Sequence, residues 1–227
     1  MYDNVKYHRR MLLDLPFLEG TGIITQDVAK PHHPITLANT PTWSSLASGK
    51  QILTLDGSTE YLQCLNASCL DLGFTSGDYS IGGCFEWTTA GDDSQIIIGR
   101  YQVDVGGWEL YLYSTGAMTL RHHHAAGATI RTGCYSMGWG YDAKAFFGVS
   151  RSGSSGQFYR NGAAITTVSD VLIDPEATDQ DLVIGVRFSK SDNNFKGNFG
   201  RLFIAGEALS ADDWSEIYEL EKAGYLL

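Results

Sequence analysis

Between Met11 and Ile204 the apolar residues come in about a dozen short runs, separated by Gly, Asn and Asp turn signals. Only near the end does the period lengthen. There Ser210 precedes Trp214, Ile217 and Tyr218 at helical spacing. Ser210 is placed to cap that helix, its hydroxyl accepting from the Asp213 amide, and Gly224 is a candidate left-handed stop. This order predicts an all-β fold: a two-sheet antiparallel jelly-roll sandwich closed by one short C-terminal helix. The length of 227 residues suits a jelly roll better than an immunoglobulin domain of about 100.

The runs differ in what they disclose. Residues 108–113 alternate cleanly, with Trp108, Leu110 and Leu112 on one side and Glu109, Tyr111 and Tyr113 on the other. Met118 and Leu120 repeat the pattern against Thr119 and Arg121. Residues 95–100 are apolar at their centre, as a strand covered on both faces would be. Asp56-Gly57 between two β-prone runs predicts a hairpin. Residues 125–141 are Gly-rich and read as one long excursion carrying Tyr135, Trp139 and Tyr141. No internal repeat or boundary divides the chain, so the reading is an arm over residues 1–10 and one domain over 11–227.

The formal net charge of -10 argues against a nucleic-acid partner, which needs clustered Lys and Arg. No run approaches 18 apolar residues, so membrane insertion is not expected. The first ten residues lack the apolar centre of a signal peptide, so classical secretion is not expected either. Lys6, Arg9 and Arg10 make that start basic, and they are candidates for docking on an acidic partner, against the simpler reading of a frayed terminus. Cys64, Cys69, Cys84 and Cys134 match no zinc spacing and read as reduced, mostly buried thiols, against the alternative of a Cys64–Cys69 bridge.

Several stretches resemble laminin-G-like jelly rolls of the concanavalin A-like lectin/glucanase superfamily. They are Leu13 to Gly22, Leu53-Thr54-Leu55-Asp56-Gly57 before Tyr61, and Ser80 to Trp87. Phe158-Tyr159-Arg160-Asn161-Gly162 and Phe195-x-Gly197 through Ala208-Leu209-Ser210 complete the set, which covers roughly residues 11–220. The resemblance implies a non-catalytic domain that binds glycans or proteins, often with calcium near a sheet edge. Asp56 matches one acidic position of that pattern, which makes it the metal candidate. A second acidic position falls on Gly200, which weakens the case, since calcium wants six or more oxygens. No other cofactor is expected.

Catalysis is not expected. Hydrolases of this architecture place Glu-x-Asp-x-Glu along one strand, and no such run occurs. On a strand His122 and His124 share a side while His123 faces away, so the three cannot meet one metal without a bend. The ligand-binding candidates are Tyr111, Tyr113, Glu109 and Arg121 on the side opposite the core, with Trp139 and Tyr141 from the Gly-rich stretch. The alternative is that a second layer or a neighbouring subunit covers that side. The expected role is a non-catalytic binding or display protein on a virion surface (a capsid decoration or tail protein), homo-oligomeric or docked to a capsid or tail. The alternative is a stand-alone extracellular lectin or carbohydrate-binding module.

Overall fold

Period-two alternation sets which side of each strand is apolar, and two antiparallel sheets pack through those sides. The computed structural model describes residues 10–88, 94–124, 128–134, 142–169 and 171–227, with the backbone alone for 128–134 and 168–169. In chain order the strands begin with β1 (Met11–Leu15), β2 (Ile24–Gln26), β3 (Pro34–Ala38), β4 (Thr42–Ser45), β5 (Gln51–Asp56) and β6 (Tyr61–Cys64). After two single 3-10 turns come β7 (Tyr79–Trp87), β8 (Ser94–Gln102), β9 (Gly106–Tyr113), β10 (Met118–His124) and β11 (Ala128–Cys134). The rest are β12 (Ala143–Ser152), β13 (Ser155–Arg160), β14 (Ala163–Ala164), β15 (Val168–Ser169), β16 (Leu182–Ile184) and β17 (Lys196–Ala205). Helix α1 (Ala211–Tyr225) follows.

The first sheet runs β14-β13-β12-β7-β17-β5-β4, with β1 also on β17. The second runs β15-β11-β10-β9-β8-β16-β6-β3-β2. The expected sandwich with one terminal helix is therefore present, and three expectations are corrected. Strands β5 and β6 do not form a hairpin: β5 pairs with β4 and β17, β6 with β3 and β16, so the chain crosses between sheets at Asp56-Gly57. A tight Asp-Gly turn reverses the chain whether or not its flanks pair. The 125–141 stretch is not one loop, because β11 lies within it, paired along β10. The helix ends not at Gly224 but at Leu226, which takes the left-handed conformation.

The main core lies between the sheets. Phe85, Phe147, Val149, Phe199 and Leu202 of the first meet Leu62, Ile98, Leu110, Leu120 and Ile184 of the second. A second core lies outside the first sheet, where Phe146, Tyr159 and Phe203 meet Trp214, Ile217 and Tyr225 of α1. Strand β12 is apolar on both sides for this reason. The indole of Trp214 fits a slot made by Gly82 and Gly148, which face each other on neighbouring strands. A Cβ at either glycine would lie 2.5 Å from the ring. Ser210 caps α1 as expected: it accepts from the Asp213 amide at 3.2 Å, and the Asp213 carboxylate accepts the Ser210 amide at 3.0 Å.

Candidate functional site: the outer side of the second sheet

Register brings Glu109, Tyr111, Tyr113 and Arg121 to one side of the second sheet, opposite Trp108, Leu110 and Leu112, as alternation implies. Arg121 lies directly across from Glu109 and is ion-paired with it. Gly99 is Glu109's neighbour on the other flank, and its lack of a side chain gives the carboxylate room: a Cβ there would come within 2.6 Å of Glu109 Cβ. The Arg121 guanidinium sits 4.2 Å from the Tyr101 ring centre and 5.2 Å from that of Tyr111. Each such cation–π contact contributes on the order of 1 kcal/mol. Tyr111 and Tyr113 are edge-on, with hydroxyls 3.2 Å apart.

The outer position is right, but the expectation of open display needs correction for three of the four. Glu109 is 1% exposed, Tyr111 3% and Arg121 8%. A second layer covers them, drawn in part from the 185–195 segment. Arg187 lies 3.7 Å from Glu109, and Phe188 packs edge-on to Tyr101. Only Tyr113, 37% exposed, reaches solvent among the four. Arg187, which also lies 3.7 Å from Asp192, is partly open and joins Tyr113 as an accessible group. Sequence reasoning missed Arg187 because it lies in an irregular segment with no period to orient it. Trp139, Tyr141, Lys6 and Arg9 lie outside the described residues.

Of the three basic candidates at the start of the chain, Arg10 is described. It is ion-paired with Glu207 and, at 3.2 Å, with Asp213 of the helix cap, so its charge is used within the chain.

Asp56 fits a turn better than a cation. Its Oδ1 accepts the amides of Ser58, Thr59 and Glu60, and Oδ2 accepts the Thr59 hydroxyl. Desolvation opposes the charge, but these donors hold the carboxyl below its usual range. A carboxylate at position 200 would collide with Tyr225, whose ring lies 2.5 Å from where a Cβ of residue 200 would stand. Among the described residues no three His, Cys, Asp or Glu side chains gather as a metal site. The residues present therefore do not fit calcium at the positions the resemblance indicates.

The histidines divide between the two sides of the sheet as alternation predicts. His122 is fully buried between the sheets. Its Nδ1 faces the Ile173 carbonyl at 2.8 Å, which can only accept, so Nδ1 carries the proton. Its Nε2 then accepts from the Tyr79 hydroxyl at 2.6 Å. His123, on the outer side, is also buried, while His124 meets Glu176 at 2.9 Å. Cys64, Cys69 and Cys84 are free and buried, as expected.

A family model described as the concanavalin A-like lectin/glucanases superfamily matches residues 56–213. No curated protein matches the chain. Among solved structures, the botulinum neurotoxin serotype G binding domain aligns with a TM-score of 0.73 at 11% identity, over 94% of this chain and 51% of that one. The serotype D ligand-binding domain, solved with N-acetylneuraminic acid, gives 0.73 at 13% identity over 94% and 52%. The binding domain of Paraclostridial Mosquitocidal Protein 1 gives 0.70 at 12% identity over 93% and 52%. The chain thus spans about half the length of the structures it matches, and at these identities the likeness is one of fold.

Proposed function

We propose that this chain, which belongs to the concanavalin A-like lectin/glucanases superfamily, binds glycans without cleaving them. The observation that carries this reading is the state of Tyr113. At 37% exposure it is the residue that reaches solvent on a sheet face whose other members, Tyr111, Arg121 and Glu109, are buried and joined to one another. A flat ring held by a rigid layer meets the C–H face of a sugar with little loss of freedom. Arg187 on the same side adds N–H donors for hydroxyl groups. The complex of the serotype D neurotoxin domain with N-acetylneuraminic acid supports carbohydrate as the ligand class.

Cleavage is not part of the proposal. Glycoside hydrolysis needs two carboxyl groups about 5 to 10 Å apart with the sugar between them. Glu109 is buried, and Arg187 stands between it and Asp192, so no sugar fits between this pair.

A glycan array followed by titration tests the reading. The protein is expected to select at least one glycan, and Tyr113→Ala to bind it at least tenfold more weakly with an unchanged melting temperature. Equal affinity in the two proteins sinks the assignment of the site.

The proposed setting remains a virion surface, with Lys6 and Arg9 docking to a capsid or tail, or the chain self-associating. Particles that lack this protein should regain it when it is added purified, and failure to rebind speaks against that setting.

A further inference from the structure

Three loops meet at one end of the sandwich around an open cleft of about 470 Å³, within the usual size of ligand pockets. They are residues 77–78 before β7, the β12–β13 turn at 152–154, and the segment 172–174. A single buried guanidinium, Arg151, ties all three. Its Nε donates to the Gly153 carbonyl at 2.9 Å, its Nη1 to the Gly77 carbonyl at 2.8 Å, and its Nη2 to the Asp174 carboxylate. Further bonds cross-link the loops. Asp78 accepts the Gly153 amide at 2.7 Å, the Leu172 amide donates to the Ser154 carbonyl at 2.8 Å, and the Ile173 carbonyl is held by His122. The cleft is thus formed before any ligand arrives, which lowers the ordering cost of binding.

Its charge decides what it can hold. Arg151 is only 4% exposed and already meets two carbonyls and a carboxylate, whereas Asp174 is 51% exposed. With Asp78 and Asp174 against one arginine, the cleft carries one net negative charge within a chain of net charge -10. Anions are repelled, while hydroxyl groups find carboxylate acceptors. Ile173, 37% exposed, offers an apolar contact at the rim. We infer that this cleft is a second glycan subsite, selective for uncharged sugars, that donate hydroxyls to Asp78 and Asp174 and lay a C–H face on Ile173. The inference rests on the glycan-binding reading above and adds a separate place and a ligand class to it.

The test uses the Tyr113→Ala protein, in which the sheet-face site is disabled, and adds Asp174→Lys or Ile173→Ser to it. Maltotriose, cellotriose, chitotriose and sialyllactose serve as probes in calorimetric titration, with thermal melts to check folding. At least one neutral trisaccharide should bind Tyr113→Ala at least tenfold better than sialyllactose does, and Asp174→Lys should weaken it at least tenfold. Ile173→Ser, which keeps every loop-tying bond, should weaken it about threefold. Binding that Tyr113→Ala already abolishes, or that both added substitutions leave unchanged, overturns the cleft while the sheet-face reading stands. Sialyllactose bound as tightly as the neutral sugars overturns the ligand class. No binding of any glycan by the unmodified protein, on the array or here, overturns both readings.

Discussion

His122 and His33 show how a single residue can shape the pH response of the whole sandwich. Burial drives His122 down to about 4, although its bond to the Ile173 carbonyl pulls the other way. The folded protein then refuses a proton that the unfolded chain accepts below about 6.5, so this contribution is complete above pH 6.5 and is lost as pH falls toward 4. His33 behaves in the opposite sense. Burial alone would lower it, but hydrogen bonds to Asp27 at 2.7 Å and Asp71 at 2.9 Å outweigh that and lift it to about 9. Its contribution is complete below about 6.5 and is lost as pH rises through 9. Melting temperatures from pH 4 to 10 should therefore peak near neutrality. His122→Phe should flatten the acid limb and His33→Asn the alkaline one, and limbs that keep their slopes in these variants contradict the assignments. Tyr79→Phe leaves Nε2 of His122 without its donor and should cost about 1–3 kcal/mol in urea unfolding.

Among the elements, the helix depends most visibly on a contact made far away in sequence. Trp214 stabilises its docking by filling the Gly82–Gly148 slot while its Nε1 donates to Ser150 at 2.8 Å. Trp214→Ala should lose about 3–5 kcal/mol. Gly148→Ala, which forces the indole out, should lose about 1–3 kcal/mol, and a urea midpoint equal to that of the unmodified protein would show the slot to be unimportant. Ser210→Ala should cost about 1 kcal/mol, as removal of an N-cap does. The cap was legible because its signal is confined to four consecutive residues. The slot was not, because nothing local says that Gly82 lies beside Gly148. The facing of Glu109 against Leu110 was legible from alternation, whereas their shared burial was not: Arg187 and Phe188, which help cover that side, come from a distant and irregular stretch. The crossing at Asp56 was hidden for a related reason, since a turn motif reports how the chain bends and not which sheet each flank joins.

For the molecule as a whole, the two-layer architecture leaves two built surfaces, one on the second sheet and one at an end of the sandwich, each tied by ion pairs or hydrogen bonds within the chain. Whether this chain holds a sugar chain and leaves it intact can be measured directly. The glycan selected on the array is incubated with the protein for many hours, and both bound and free fractions are weighed by mass spectrometry. Binding should be saturable, with every recovered glycan at its starting mass. Shortened products that accumulate in proportion to protein, and that vanish with Glu109→Gln, would contradict it.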